Sequence, residues 1–357
     1  MSRVEAVQER LRDAGVDGLL ITDIDNIGWL TGFTGSFAHI LLSPDGGAFI
    51  TDSRYTIQAE EQVRGLPVRS FRNPQTILDV LSEETARAGV HRIGFEPSIA
   101  FGTWQKWTDA MPGVNWQPVT DVVEPLRMIK TEEEIDAIRR ACALTDAALT
   151  HVERVIQPGV SEYDIGLEIE FYIRRQGGKL AFDPVVAGGE NSARPHARAT
   201  ERKLQVGDFL TLDFGALLDG YCADLTRTFV IGEATPRHEE IYGLVLEAQV
   251  AAVEMMMPGV NGRDVDAMVR AKFGEKGYAE YFGHGLGHGL GRVVHDLGRL
   301  SPTTDQPIEV GQVWTIEPGI YIPGFGGVRI EDDIVVREGG AEILNRYPKD
   351  LRILPAR

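Results

Sequence analysis

The chain has 357 residues, with 36 Lys and Arg against 53 Asp and Glu and a formal net charge of −17. So acidic a surface repels phosphate backbones and anionic headgroups, which argues against nucleic acid and anionic membranes as partners. The length is comfortable for two hydrophobic cores, and two cysteines, Cys142 and Cys222, are too few for a disulfide framework or a thiolate metal site.

In chain order, the opening MSRVEAVQERLRDAG is charged and helical in pattern, without the apolar core of a signal peptide. No apolar run approaches membrane-spanning length, so a cytoplasmic location is expected. Short apolar runs of strand character, GLLIT, HILLSP and GAFIT, then alternate with the helical stretches TIQAEEQVRG and TILDVLSEETARAG, which predicts a small α/β domain over residues 1–125. The second domain, residues 126–357, opens on LRMIKTEEEIDAIRRACALTDAALTHVERVI, where Thr131 and Glu134 form a T-x-x-E capping box ahead of a long amphipathic helix.

Within that domain the sequence repeats. PGVSEYDIGLEIEFYIRRQG from Pro158 aligns without a gap with PGVNGRDVDAMVRAKFGEKG from Pro258, and VGDFLTLDFG at Val206 aligns with VGQVWTIEPG at Val310, setting Asp213 opposite Glu317. Pro-Gly before a helix is common punctuation, but the matching strands make chance the weaker explanation. Two copies make a pseudo-twofold α+β domain, not a solenoid, and put a site at the junction.

Five residues there carry chemistry: Asp213 and Asp224 in TLDFGALLDGYCADLTRTF, His288 in GHGLGHGLG, Glu317 in WTIEPG and Glu331 in GVRIEDD. Singly, Asp and Glu are solvated surface charges and a lone His is a satisfied core or loop residue. These carboxylates end or interrupt apolar runs, where unpaired charge is costly without a cation. The eleven-residue spacing of Asp213 and Asp224 across a Gly-containing turn lets them face each other on neighbouring strands. Four carboxylates and one imidazole suffice for two divalent metals, which can hold a water between them and present hydroxide at neutral pH. Oxyanion donors and a proton for the leaving group are still needed, and His196, His284 and His295 in Gly- or Pro-rich turns are the candidates. Arg329 could orient a carboxylate and Thr226 could hydrogen-bond behind the ligands; either could equally face solvent. The glycine run is not a phosphate loop, since it lacks both G-x-G-x-x-G and G-K-[ST]; its glycines should let backbone pass close beside the metals. Cys222 reads as a small buried residue.

The stretches RPHA with His196, LDFG with Asp213, GYCADLTRTF with Asp224, HGLGHGLG with His284 and His288, VVHD with His295, IEPG with Glu317 and RIED with Glu331 resemble, in order and spacing, the metallopeptidases of the aminopeptidase P, prolidase and methionine aminopeptidase group. The resemblance covers roughly the last two thirds of the chain. It implies an α+β chain, a creatinase-type N-terminal α/β domain before a pita-bread catalytic domain, with Asp213, Asp224, His288, Glu317 and Glu331 on two divalent metals. Manganese is foremost among these, with cobalt, iron or zinc admissible. It also implies that His196 and His295 bind the substrate carbonyl and stabilise the intermediate, that Glu317 doubles as proton shuttle, and that His284 lines the pocket. Arg299 and Arg329 join the substrate-binding set.

The implied substrate is a small peptide with proline in second position. Arg299 in HDLGRLS stands where prolidases of similar pattern bind the proline carboxylate, which favours an Xaa-Pro dipeptidase. LTGFTGSFAHILL is similar to N-terminal segments of aminopeptidase P-like proteins, which favours Xaa-Pro aminopeptidase as the alternative. A non-catalytic pita-bread binding module is disfavoured by the full ligand set, and a creatinase-like amidinohydrolase does not need the metal carboxylates. Dimeric relatives use the region of Thr31 to His39 across their interface, so a homodimer is expected, against the alternative of an ordinary turn.

Overall fold

The first helix, Arg3–Asp13, begins where Ser2 Oγ accepts from Glu5 N at 3.2 Å and Glu5 Oε2 accepts from Ser2 N at 2.6 Å, a reciprocal cap that satisfies two otherwise orphaned donors. The structure, a computed structural model, describes residues 1–356 and divides into one unit ending at Arg127 and another beginning at Met128.

In the first unit, strands β1 (Gly18–Ile21), β2 (His39–Ser43), β3 (Gly46–Asp52), β4 (Val68–Phe71), β5 (Arg92–Phe95) and β6 (Asn115–Pro118) form one sheet in the order β4-β3-β2-β1-β5-β6. Successive side chains of a strand point to opposite faces. Accordingly Leu19, Ile21, Ile40 and Leu42 pack with Val4, Val7 and Leu11 of the first helix, whereas Leu20, Leu41 and Ile50 pack with Val80 and Leu81 of helix Ile77–Ala88. Helices cover both faces, which is why these strands read as continuous apolar runs.

The second unit opens on helix Glu132–Val152, where Thr131 Oγ1 accepts from Glu134 N at 3.3 Å and Glu134 Oε2 accepts from Thr131 N at 2.9 Å. Its first half contains β7 (Lys179–Leu180), β8 (Val185–Gly188), β9 (Phe209–Phe214), β10 (Ala216–Leu218), β11 (Tyr221–Cys222) and β12 (Leu225–Ile231). The second half contains β13 (Gly287–Gly289), β14 (Asp296–Leu300), β15 (Val313–Ile316), β16 (Gly319–Ile322), β17 (Gly326–Arg329), β18 (Asp332–Arg337) and β19 (Gly340–Ile343), with β20 (Arg352–Leu354) closing the described chain. The sheets run β20-β12-β9-β8, β14-β13-β15-β18-β19 and β11-β10-β7, with β16 and β17 as a separate hairpin.

The repeat read in sequence is a repeat in space. Helices Glu162–Arg175 and Gly262–Glu275 both have 14 residues and start from Ser161 and Asn261 at the same φ of −84°. Gly159 N donates to Leu204 O at 2.9 Å and Gly259 N to Ile308 O at 2.8 Å; Ser161 bridges Lys203 as Asn261 bridges Pro307. Helix–strand units of the same local geometry thus carry Asp213 in β9 and Glu317 just past β15. At the seam between them, Thr228 Oγ1 donates to Arg329 O at 3.0 Å and accepts from Arg329 N at 3.2 Å, fixing β17 onto β12.

Candidate active site

Strand register decides which carboxylates converge. Asp213 in β9 lies opposite Thr226 of β12, not opposite Asp224. Asp224 precedes Thr226 by two residues and so shares its face, which corrects the direct facing expected from spacing while keeping both acids on one side of the sheet. From the other half come His288 at the centre of β13, Glu317 after β15 and Glu331 immediately before β18. His288 is reached through glycines on either side. A Cβ on Gly287 would stand 2.0 Å from Thr315 O, and one on Gly289 would stand 2.0 Å from Leu297 O. The close approach that demands glycine at these two positions is to the backbones of β15 and β14.

Asp224, His288 and Glu331 are all buried, and each offers a ligand atom within 4.8 Å of the others. His288 Nε2 is 3.6 Å from Asp224 Oδ2 and 3.5 Å from Glu317 Oε1. Nδ1 of the same ring lies 3.1 Å from Gly289 O, which can only accept, so Nδ1 carries the proton and Nε2 presents a lone pair. Burial lowers this imidazole to about 3, so it is neutral at physiological pH. Burial, then the charges of Glu331 and Asp213, push the Asp224 carboxyl well above the usual carboxylate range. Burial, then Glu317 and Asp213, do the same to Glu331, and Glu317 is pushed up to about 8, chiefly by burial. Among the described residues, Asp224 Oδ1 and Glu331 Oε1 are buried without a hydrogen-bond partner. Lone pairs of a neutral imidazole and several carboxylates aimed at one another repel; a divalent cation reconciles them, and this donor set, oxygen-rich with one nitrogen, fits such ions.

Asp213 is joined to this group through Arg329, whose Nη2 donates to Asp213 Oδ2. Arg329 is 3% exposed, and its other contacts are Nε to Thr226 Oγ1 at 3.1 Å and Nη1 to Tyr321 Oη at 2.7 Å and Pro195 O at 3.3 Å. With its guanidinium taken up by four protein partners, Arg329 acts on the carboxylates and the turn before His196; the substrate contact expected for it has no support in this geometry. Thr226, fully buried, donates to Glu331 Oε2 at 2.5 Å, so it does not face solvent. Tyr321 Oη accepts from Arg329 and lies 2.8 Å from His284 Nε2, while His284 Nδ1 lies 2.8 Å from Gly285 O. His284 is thereby held half-buried as a neutral ring, lowered to about 4 chiefly by burial.

The two remaining histidines are exposed. His295 sits against His288, ring centroids 4.4 Å apart, and His196 follows the short helix Gly189–Ala193. Burial first, then Arg299 and His196, lower His295. Arg299 pairs across the strands with His288. Its Nη1 donates to Asp296 O at 2.9 Å and Gly298 O at 2.7 Å, while among the described residues the Nε–Nη2 edge has no hydrogen-bond partner.

Sequence reasoning missed Tyr321, Asp333 and Arg227. Asp333 Oδ2 accepts from Asp224 N at 2.8 Å and from Cys142 Sγ at 3.3 Å, holding the loop that presents Asp224. The available signal was the acid triplet Glu331, Asp332, Asp333 at a strand start, whose alternation sends the outer two to one face and Asp332 to the other.

Residues 136–338 match the profile of metallopeptidase family M24, and residues 3–129 that of the creatinase/prolidase N-terminal domain. Over 352 residues, 98% of this chain and 98% of the relative, the sequence is 33% identical to an Xaa-Pro dipeptidase of Pyrococcus horikoshii. The structure resembles an Xaa-Pro dipeptidase from Bacillus anthracis with a TM-score of 0.96 at 41% identity, covering 99% of each chain. It resembles an X-Pro aminopeptidase from Thermotoga maritima with a TM-score of 0.89 at 36% identity, covering 97% of this chain and 99% of that one.

Proposed function

We propose that this chain, which belongs to metallopeptidase family M24, is an Xaa-Pro dipeptidase that hydrolyses the bond before proline in small peptides. The observation that carries the reading is the buried meeting of Asp224, His288 and Glu331, with Glu317 3.5 Å from the imidazole, in a chain that matches a known Xaa-Pro dipeptidase end to end. As a metallopeptidase it uses divalent metal ions; Asp213, Asp224, His288, Glu317 and Glu331 would hold two, manganese foremost. When bound, such ions polarise a carbonyl and make water acidic enough to attack at neutral pH.

The chain's own groups do the rest. Glu317, 3.5 Å from the His288 imidazole, would serve both as a ligand and as the carrier of a proton to the leaving prolyl nitrogen. His295 and His196 lie on the solvent side of the ligands and would donate to the substrate carbonyl as it becomes an oxyanion. The dipeptide's free carboxylate would sit on the Nε–Nη2 edge of Arg299, the edge that binds carboxylates in a fork. A cytoplasmic location and a homodimer, with residues 31–39 at the subunit interface and the domain boundary near residue 125, complete the proposal. No helix of the described residues is long and apolar enough to cross a membrane.

A second reading, Xaa-Pro aminopeptidase, is favoured by the likeness to the Thermotoga maritima enzyme. Kinetics on matched Xaa-Pro and Xaa-Pro-Yaa substrates, in manganese, cobalt and zinc, separate the two. The dipeptide should be the better substrate, and Arg299→Ala should lower its kcat/KM by roughly 30- to 1000-fold, mostly through KM, because Arg299, exposed in the free protein, would be covered by the bound dipeptide, and a charged pair so shielded is worth about 2–4 kcal/mol. Tripeptides, lacking the free prolyl carboxylate, should be little affected. Small and equal losses on both substrates would move the assignment to aminopeptidase.

A further inference from the structure

Behind the carboxylate cluster lies a second charged group, wholly buried and facing away from it. Arg227 is 2% exposed, between Thr226 and Thr228 on β12. Its Nη1 donates to two backbone carbonyls, Thr226 O at 2.9 Å and Glu331 O, one from each half of the unit. Its Nη2 donates to Asp332 Oδ1 at 2.8 Å and Tyr347 O at 2.7 Å, and its Nε to Pro348 O at 3.0 Å. Asp332 in turn accepts from Gln249 Nε2 at 3.0 Å and Lys349 Nζ at 2.7 Å.

Thr226 and Glu331 are the residues joined on the other side by their side chains, and Glu331 N donates to Thr226 O at 3.1 Å. Strands β12 and β18 belong to different sheets, so among the described residues no ladder sets their separation. Yet the carboxylates of the first half and Glu331 of the second must keep a fixed separation to share ions, and sub-ångström errors in such a set are costly. A planar guanidinium bonded to both carbonyls and held by Asp332 is a rigid spacer at that point; a flexible ammonium is not.

We propose that Arg227, with Asp332, is a positioning pair that sets the spacing of the two half-sites and so the affinity of the second unit for divalent metal. The proposal rests on the metal assignment above. Its test is manganese binding by calorimetry, together with the visible spectrum of the cobalt-loaded protein, on full-length wild type, Arg227→Lys and Lys349→Gln. Urea midpoints of each metal-free protein report the fold.

Arg227→Lys keeps the charge but loses the fork, and should lower manganese affinity about tenfold or more and alter the cobalt spectrum while the metal-free midpoint moves little. Lys349→Gln removes a cation from the same carboxylate but leaves both carbonyl contacts, and should bind manganese within about threefold of wild type. Equal affinities in all three proteins would overturn the proposal, as would losses that simply follow the metal-free midpoints. If Arg227→Lys does not fold, Asp332→Asn takes its place and should weaken manganese binding in the same direction; unchanged affinity, or failure of both to fold with or without manganese, would overturn it. Wild-type protein that takes up no manganese or cobalt would instead sink the metal assignment itself.

Discussion

His288 shows how much depends on one tautomer. With Nδ1 committed to Gly289 O, the ring can offer only Nε2 to its carboxylate neighbours, and it is neutral below the ordinary histidine range. The pH dependence of the metal-free protein follows. A carboxyl whose pKa is raised on folding gives stability below its unfolded value that is lost as pH rises through the folded value. For Glu317 that loss runs from the ordinary 4.5 to about 8. A lowered histidine such as His288 gives stability above 6.5 that is lost on acidification, so between pH 6.5 and 8 its contribution is flat. In that window the raised carboxyls act alone, and metal-free protein should lose on the order of 1 kcal/mol per pH unit for each carboxyl that ionises. Thermal melts at pH 6.5 and 8 should show a falling midpoint without metal and little change with it; a rising metal-free midpoint would contradict the arrangement. The exposed histidines behave differently. His196→Ala and His295→Ala should each depress kcat by a factor on the order of 10²–10³ with metal content unchanged. Metal analysis of the variants checks this, since loss of metal would put those rings among the ligands.

At the scale of elements, β13 is tightly constrained, because its neighbours on both edges approach to distances that exclude any side chain beside His288. Gly287→Ala must push β13 off β15, taking His288 with it, at a cost on the order of 2–3 kcal/mol. The expected result is a lowered unfolding midpoint together with weakened metal binding; an alanine variant with wild-type stability would show that the strand can shift freely. This strand also marks where sequence reading stops. The capping box at Thr131, the sandwiched strands β1 to β3 and the repeat at 100-residue spacing were legible, because each is written in local periodicity or in self-similarity. The motif residues were legible as acids and histidines in strand contexts. Register was not: nothing local says that Asp213 meets Thr226, and the spacing argument placed Asp224 there. Nor do isolated positions reveal Tyr321 joining His284 to Arg329, or Arg227 reaching Glu331, since those contacts span 37 and 104 residues. Arg329 could be read as buried or solvated from sequence, and tertiary packing alone decided it.

In the site proposed for the second unit, neither half suffices by itself. The first half brings Asp213 and Asp224, the second His288, Glu317 and Glu331, and the acids that must come together repel one another in a chain already carrying −17. A cation that binds only this folded arrangement should therefore act as a tie between halves, stabilising by RT ln(1 + [L]/Kd), about 2.7 kcal/mol per site at a hundredfold excess over Kd. In a unit of this size each kcal/mol moves the midpoint by roughly 2–4 °C, so two ions should shift it by roughly 10 °C or more. The unit ending at Arg127 supplies none of the proposed ligands and should not respond. Calorimetry with and without a chelator should then show one transition falling by that amount and another unmoved. If the chelator shifts both equally, metal binding is not confined to the second unit; if it shifts neither, the five residues do not hold ions that matter to the fold, and the stability of the acid cluster must come from protonation instead.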